Sequence, residues 1–260
     1  MLTLKPLTGP NFSVKRYSVL NNGKPIAGPG RWIQIKISIV VPALNEADNF
    51  RHFLSQLHLS VNEELIVVDG GSSDNTVAIA GEFTEKVFEA KTGRASVMNF
   101  GAGKAGGDIL LFLHADCVLP DNAFTFIRDT AGSRGVAAGA FSLRIGHPGF
   151  GFRLIETAAN IRSRMTSLIY GDQGMFLRKE VFDHIGGFAD IPLMEDIEIS
   201  RRLKKEGKIV FLKPAITASP RRWLNEGMIY TTLRDWIIAF AYTFFGISPE
   251  RLIKHYREVR

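Results

Sequence analysis

Cysteine is almost absent from this 260-residue chain: Cys117 stands alone, so no internal disulfide can form and a reducing cytoplasm is the expected home. Long apolar runs are missing too. The longest nearly unbroken one, Trp236 to Ile247, is about half of the roughly 20 residues a spanning helix needs, so the chain is not expected to cross a membrane. The basic amino terminus, with Lys5, Lys15 and Arg16, has no apolar segment behind it and gives no sign of a secretory signal. No Gly-x-Gly-x-x-Gly follows the first predicted strand, which disfavours a Rossmann oxidoreductase; Gly101 and Gly103 fall inside a helix pattern instead. What is present is ordinary globular composition, 45% apolar and 22% charged, which excludes disordered and collagen-like chains.

The net charge of +6 is unevenly spread. Residues 1–36 hold six basic residues and no acidic one, residues 37–200 sum to −8, and residues 201–260 to +8. Basic ends around an acidic middle suit nucleic acid, an anionic membrane surface or an anionic substrate, with solvated basic helix faces as the plain alternative.

From Ile37 onward, short β-branched runs alternate with helix-period stretches, the pattern of a mainly parallel sheet covered by helices. Ile37–Val41 reads as a strand, and Phe50, Phe53, Leu54 and Leu57 mark one helix face. Leu65–Val68 is a second strand, after which Ser72 or Ser73 can cap a helix through Val77 and Ala80. Val87–Phe88, Ile109–Leu113, Val136–Ile145 and Met175–Arg178 read as further strands, with helices over 95–104, 152–168 and from Glu195 to about Glu206. Strands ending in Asn45, Asp69 and Asp116 point the same way. In an open α/β sheet ligands bind beyond such ends, so these residues are expected to converge, although each could simply end a strand.

Five segments in this order and spacing resemble a family 2 glycosyltransferase with the GT-A fold over about residues 37–225: Ile39 to Glu46, Val67 to Thr76, Gly93-Arg94-Ala95 with Asn99, His114-Ala115-Asp116, and Glu195-Asp196. The His-Ala-Asp triplet and Arg221-Arg222-Trp223 are similar to a bacterial subgroup of small transferases, some labelled as arsenosugar biosynthesis enzymes. The resemblance implies an α/β nucleotide-diphospho-sugar transferase domain at 37–225, preceded by an extension (1–36) and followed by a helical segment (226–260).

It also implies transfer of a sugar from a nucleoside diphosphate, of UDP or GDP type, with inversion and with Mg²⁺ or Mn²⁺ offsetting the charge of the leaving diphosphate. Pro42, Ala43, Asn45, Glu46, Asp69, Gly71, Arg94, His114 and Asp116 would line the nucleotide site, with Asp116 on the metal. His114 stands where the family usually has an aspartate; imidazole cannot mimic a carboxylate but can donate to phosphate or hydroxyl. Asp196 is the expected general base, kept ionised by the helix dipole, with Glu195 beside it; both could instead only decorate a first helical turn. Asp172 and Gln173 would face the acceptor, with a tight glycine-rich turn as the alternative, and Arg221, Arg222 and Trp223 would close over the diphosphate. The glutamine of the processive-synthase motif is missing ahead of Arg221, so polymer synthesis is not expected.

The acceptor is undetermined, with an apolar or lipid-linked molecule one candidate. The aromatic carboxyl-terminal segment could lie on a membrane surface, so that the protein is cytoplasmic or peripheral at the inner face, or it could pack on the domain or in a homodimer. Two other readings compete. A nucleotidyltransferase would carry a glycine-rich basic loop where Pro42 to Glu46 stand, and a nucleic-acid or membrane-surface module would exploit the pI near 9.5; the transferase reading needs no nucleic acid.

Overall fold

The computed structural model describes residues 35–90 and 93–256, together with the short antiparallel pair β1 (Leu20–Asn21) and β2 (Lys24–Pro25). Most of the expected extension at 1–36 lies outside the described residues. The domain's strands are β3 (Ile37–Ala43), β4 (Glu63–Asp69), β5 (Val87–Glu89), β6 (Ile109–Phe112), β7 (Cys117–Val118), β8 (Val136–Ile145), β9 (Met175–Arg178) and β10 (Lys208–Ala218). They form one eight-stranded sheet in the order β5-β4-β3-β6-β9-β8-β10-β7. The pairs β5–β4, β4–β3, β3–β6 and β8–β10 are parallel, while β9 and β7 run against their neighbours.

The helices are α1 (Ala47–Ser55), α2 (Thr76–Gly81), α3 (Arg94–Lys104), α4 (Ala123–Ala131), α5 (Phe150–Thr166), α6 (Lys179–His184), α7 (Glu195–Glu206), α8 (Arg221–Glu226), α9 (Met228–Phe245) and α10 (Pro249–Leu252). Side chains alternate across each strand, so β3 sends Ile39 and Val41 to a core shared with Phe50, Phe53 and Leu54 of α1, and Val40 to a second core shared with Met98, Phe182 and Ile199. Burial on both faces explains why the parallel strands read as continuous apolar runs. Among the described residues no helix is long and apolar enough to cross a membrane.

Two local features explain how strand ends become loops. Leu113 N–H donates to the Val40 carbonyl (3.0 Å), and alternation turns Pro42 toward the same edge, past the last residue of β6. The missing proline donor therefore costs no ladder bond, and β3 continues along β4 to Ala43. Strand β10 was not legible in the sequence because Lys213-Pro214 interrupts it; the register slips between Leu212 and Ala215, and this bulge absorbs the proline. Neither serine caps α2. The N-cap is Asn75, without a side-chain cap bond, and the preceding Asp74 Oδ1 accepts from Thr76 N–H at 3.0 Å; α5 begins at Phe150, two residues before the expected start.

Candidate active site

The loops after β3 and β4 are locked to each other. Asp69, 1% exposed, pairs in register with Ala43, and its Oδ2 accepts from the N–H groups of Gly71 and Ser72, both at 2.8 Å, while Oδ1 accepts from the Ser72 hydroxyl. Across the gap, Asn45 N–H donates to Ser72 Oγ (2.8 Å) and Asn45 Oδ1 accepts from Ser73 N–H (2.9 Å), while Glu46 N–H reaches Thr76 Oγ1 (2.8 Å). Asn45 adopts φ 53°, a left-handed turn that asparagine tolerates well. The result is a rigid two-loop rim whose Asp69 holds the loop in shape from below.

Beyond β6, His114 and Asp116 lead into β7. Arg221, at the start of α8, spans the cleft, with one guanidinium nitrogen 3.1 Å from Glu46 Oε2 and 3.9 Å from Asp116 Oδ2. Arg222 pairs with Asp235 of α9 at 3.2 Å while its charge still reaches His114 and Asp172. Trp223 is braced outside the cleft, its indole N–H donating to Thr232 Oγ1 (3.2 Å) and its ring edge-on to Phe152.

The opposite wall is the turn 171–173 facing α7. Gly171 N–H donates to Asp196 Oδ2 at 2.8 Å, and Ile197 N–H to Asp196 Oδ1 at 2.7 Å. A side chain at 171 would force His114 to shift, because a Cβ there would lie 2.6 Å from His114 Cε1 and 3.7 Å from Asp196 Oδ2. His114, Gly171 and Asp196 are thus stacked in contact. Buried Glu195 faces Arg94 at 3.7 Å, bringing the start of α3 to the start of α7. Gln173, 1% exposed, accepts through Oε1 from Tyr170 N–H (3.0 Å) and from Ser163 Oγ (3.1 Å) and so anchors the turn, while its amide nitrogen is buried without a hydrogen-bond partner among the described residues.

Charge in this wall is held under strain. Burial, then the adjacent Glu195, push the Asp196 carboxyl up to about 7 against the two N–H donors and Arg94. The helix dipole, expected to keep Asp196 ionised and ready to accept a proton near neutrality, is opposed by this desolvation. Burial likewise raises Asp172, partly offset by Arg162 and Arg222, and burial together with Arg94 and Arg222 holds the His114 imidazole down to about 3, neutral. Arg162 of α5, stacked 3.7 Å over the Tyr170 ring, is a site neighbour that no motif signalled; only the packing of α5 against the turn brings it there.

Can these residues hold a divalent cation? Among the described residues no group of three or more His, Cys, Asp or Glu is placed to hold one unaided. Asp116 offers hard carboxylate oxygens, its side chain 37% exposed at the cleft, which suits an ion that takes its remaining ligands from a diphosphate.

A mainly parallel sheet with an acidic cleft at its strand ends, an antiparallel β9 in its middle and a helical carboxyl-terminal segment is the GT-A fold. It is shared with a mannosyltransferase, PcManGT of Pyrobaculum calidifontis, solved with GDP-Man and Mn²⁺ (TM-score 0.59, 16% identity, 87% of this chain and 66% of that one). Glucosyl-3-phosphoglycerate synthase of Mycobacterium tuberculosis, solved with Mn²⁺ and UDP-glucose, matches at TM-score 0.55 and 19% identity, over 80% of this chain and 79% of that one. The sequence model of glycosyl transferase family 2 matches residues 38–188, and the chain belongs to that family. Among relatives, glycosyltransferase AglE of Haloferax volcanii is 24% identical over 73% of this chain and 68% of its own length. The probable glycosyltransferase YdaM of Bacillus subtilis is 26% identical over 84% of this chain, which spans 60% of YdaM.

Proposed function

We propose that this chain transfers a sugar from a UDP- or GDP-type donor to an acceptor hydroxyl, inverting the anomeric centre. The observation that carries the reading is the His114–Gly171–Asp196 contact, which sets a carboxyl of raised pKa on the wall facing the Asp116 strand end. In this reading the locked Asn45–Asp69–Gly71 rim receives the nucleoside, and Arg221, Glu46 and Arg94 frame the diphosphate, with the arginines offering forked donors to its oxygens. Asp116 would supply the protein ligand to Mg²⁺ or Mn²⁺, which when bound neutralises charge on the leaving diphosphate.

Asp196 takes the proton from the acceptor hydroxyl as its oxygen bonds to the anomeric carbon and the bond from that carbon to the diphosphate oxygen breaks. A base with pKa near the working pH combines enough ionised form with real basicity. Gly171 N–H fixes one oxygen of the carboxylate, so the other is defined in direction. Neutral His114, with one donor and one acceptor nitrogen, would contact a phosphate oxygen or sugar hydroxyl rather than add charge.

The test is thermal stabilisation by UDP, GDP, CDP and ADP, each with and without Mn²⁺, since a ligand of the folded state raises apparent stability. A metal-dependent shift with one nucleotide is expected and identifies the donor's base; no shift with any of them would sink the reading.

A further inference from the structure

Helix α9 buries Thr231, Arg234, Ile238 and Ala239, yet leaves a second stripe uncovered: Leu233 (56% exposed), Ile237 (64%), Phe240 (53%) and Phe244 (64%), spaced along one helix face. Between this stripe and the end of α5 runs an open groove of about 380 Å³. Its walls are almost wholly apolar, with Trp236 and Leu168 among them, and among the described residues no carboxylate lines it. A contiguous apolar surface of this kind, left to water, marks an interaction site.

Two observations say what covers it. The first is charge. Arg162 lines the groove, stacked over Tyr170 and 5.2 Å from the Trp236 ring, with its Nε buried and without a hydrogen-bond partner. Arg201 donates to the carbonyl of Thr243 at 2.7 Å and Lys204 to that of Thr166 at 2.9 Å, and both carbonyls belong to groove residues. An apolar strip rimmed by three cations complements a surface that is apolar within and anionic at its edge, which is the profile of an anionic bilayer. The second is continuity: Tyr170 is both a groove wall and the residue before Gly171, whose N–H holds Asp196.

We propose that the α5–α9 groove is a docking site for an anionic lipid bilayer, taking lipid hydrocarbon between Leu233, Ile237, Phe240 and Phe244 while Arg162, Arg201 and Lys204 meet the headgroups. The groove then opens the turn 170–172 toward the lipid surface, so the acceptor is a molecule carried there; this part rests on the transferase reading. A second copy of the chain or a protein partner would cover the same residues, but neither calls for three cations beside a lining that holds no carboxylate among the described residues.

The experiment is co-sedimentation of the full chain with phosphatidylcholine vesicles, with and without phosphatidylglycerol. Each Lys or Arg at an anionic surface is worth about a fivefold gain in binding, so preference for the anionic vesicles by tenfold or more, weakened by salt, is expected. The exposed double variant Ile237→Glu, Phe244→Glu should lose at least tenfold of that binding while keeping the nucleotide-dependent thermal shift, which shows that fold and donor site are intact. Equal or absent binding to both vesicles overturns the proposal, as does a dimer in light scattering that the double variant dissociates. Vesicle binding without any nucleotide response would leave the docking surface standing and remove the transferase reading instead.

Discussion

The two walls of the cleft are built on opposite principles. On the β3–β4 side, Asp69 is buried but accepts three hydrogen bonds from its own turn, and Asn45, Glu46 and Ala47 are each tied to residues 72–76. On the side of the turn 171–173 and α7, the half-buried acids Asp172 and Asp196 are only partly compensated, and both are harder to ionise than usual. The difference teaches a division of labour: the satisfied wall is a rigid seat, and the strained wall holds groups whose protonation can change. Strain of this kind costs stability and gathers where chemistry is done.

Breaking the strained wall should have the largest effect. Asp196→Asn removes the proposed base while keeping the acceptor of the Gly171 hydrogen bond, and transfer should fall by about 10³-fold or more with nucleotide affinity nearly unchanged, as steady-state rates and a nucleotide titration would show. The rigid seat responds differently. Asp69→Ala strips the buried turn of charge-assisted hydrogen bonds and should cost about 2–4 kcal/mol, read from denaturant unfolding, together with loss of nucleotide binding.

Gly171→Ala is a finer probe, because the new methyl presses on His114 and displaces the donor to Asp196. A fall in transfer of about tenfold is expected, corresponding to about 1.4 kcal/mol, with the midpoint of the rate's pH profile moved upward as the carboxylate loses that N–H. The pH sign also separates the walls. The Asp196 carboxyl is raised from 3.8 to about 7 in the folded state, so the native protein binds the extra proton between those values. Its contribution to stability is full below pH 4 and is lost as pH rises through 7, whereas the ionised base needed for transfer appears over the same range. The rate should therefore climb toward a plateau above pH 7, and Asp196→Asn should be more stable than the parent at pH 8, by a margin that shrinks toward pH 4. Smallest of all, Arg221→Ala should leave thermal stability almost unchanged, since exposed ion pairs contribute little, while weakening nucleotide binding several-fold.

Much of the seat was legible in the sequence, and less of the strained wall. Apolar runs ending in Asn45, Asp69 and Asp116 announce parallel strands that terminate together, because burial on both faces and a polar end leave few other readings. Asp196 was legible as a candidate residue, but its altered acidity was not. That property depends on burial beside the turn 171–173 and on the neighbouring Glu195, a packing set by the chain leading into antiparallel β9. Strand β10 hid behind Pro214, and the roles of Gln173 and Arg162 depend on how α5 crosses the turn, which no local pattern encodes. Exposure of the α9 stripe was equally beyond the sequence, where aromatic residues on several faces favoured simple packing.

The central claim is that Asp116 belongs to donor binding and Asp196 to proton transfer. The most direct test is the Mn²⁺-dependent thermal shift by the preferred nucleotide, measured side by side on the parent chain, Asp116→Asn and Asp196→Asn. The account predicts a shift in the parent and in Asp196→Asn, and none in Asp116→Asn. A shift retained in Asp116→Asn, or lost equally in both variants, would contradict it.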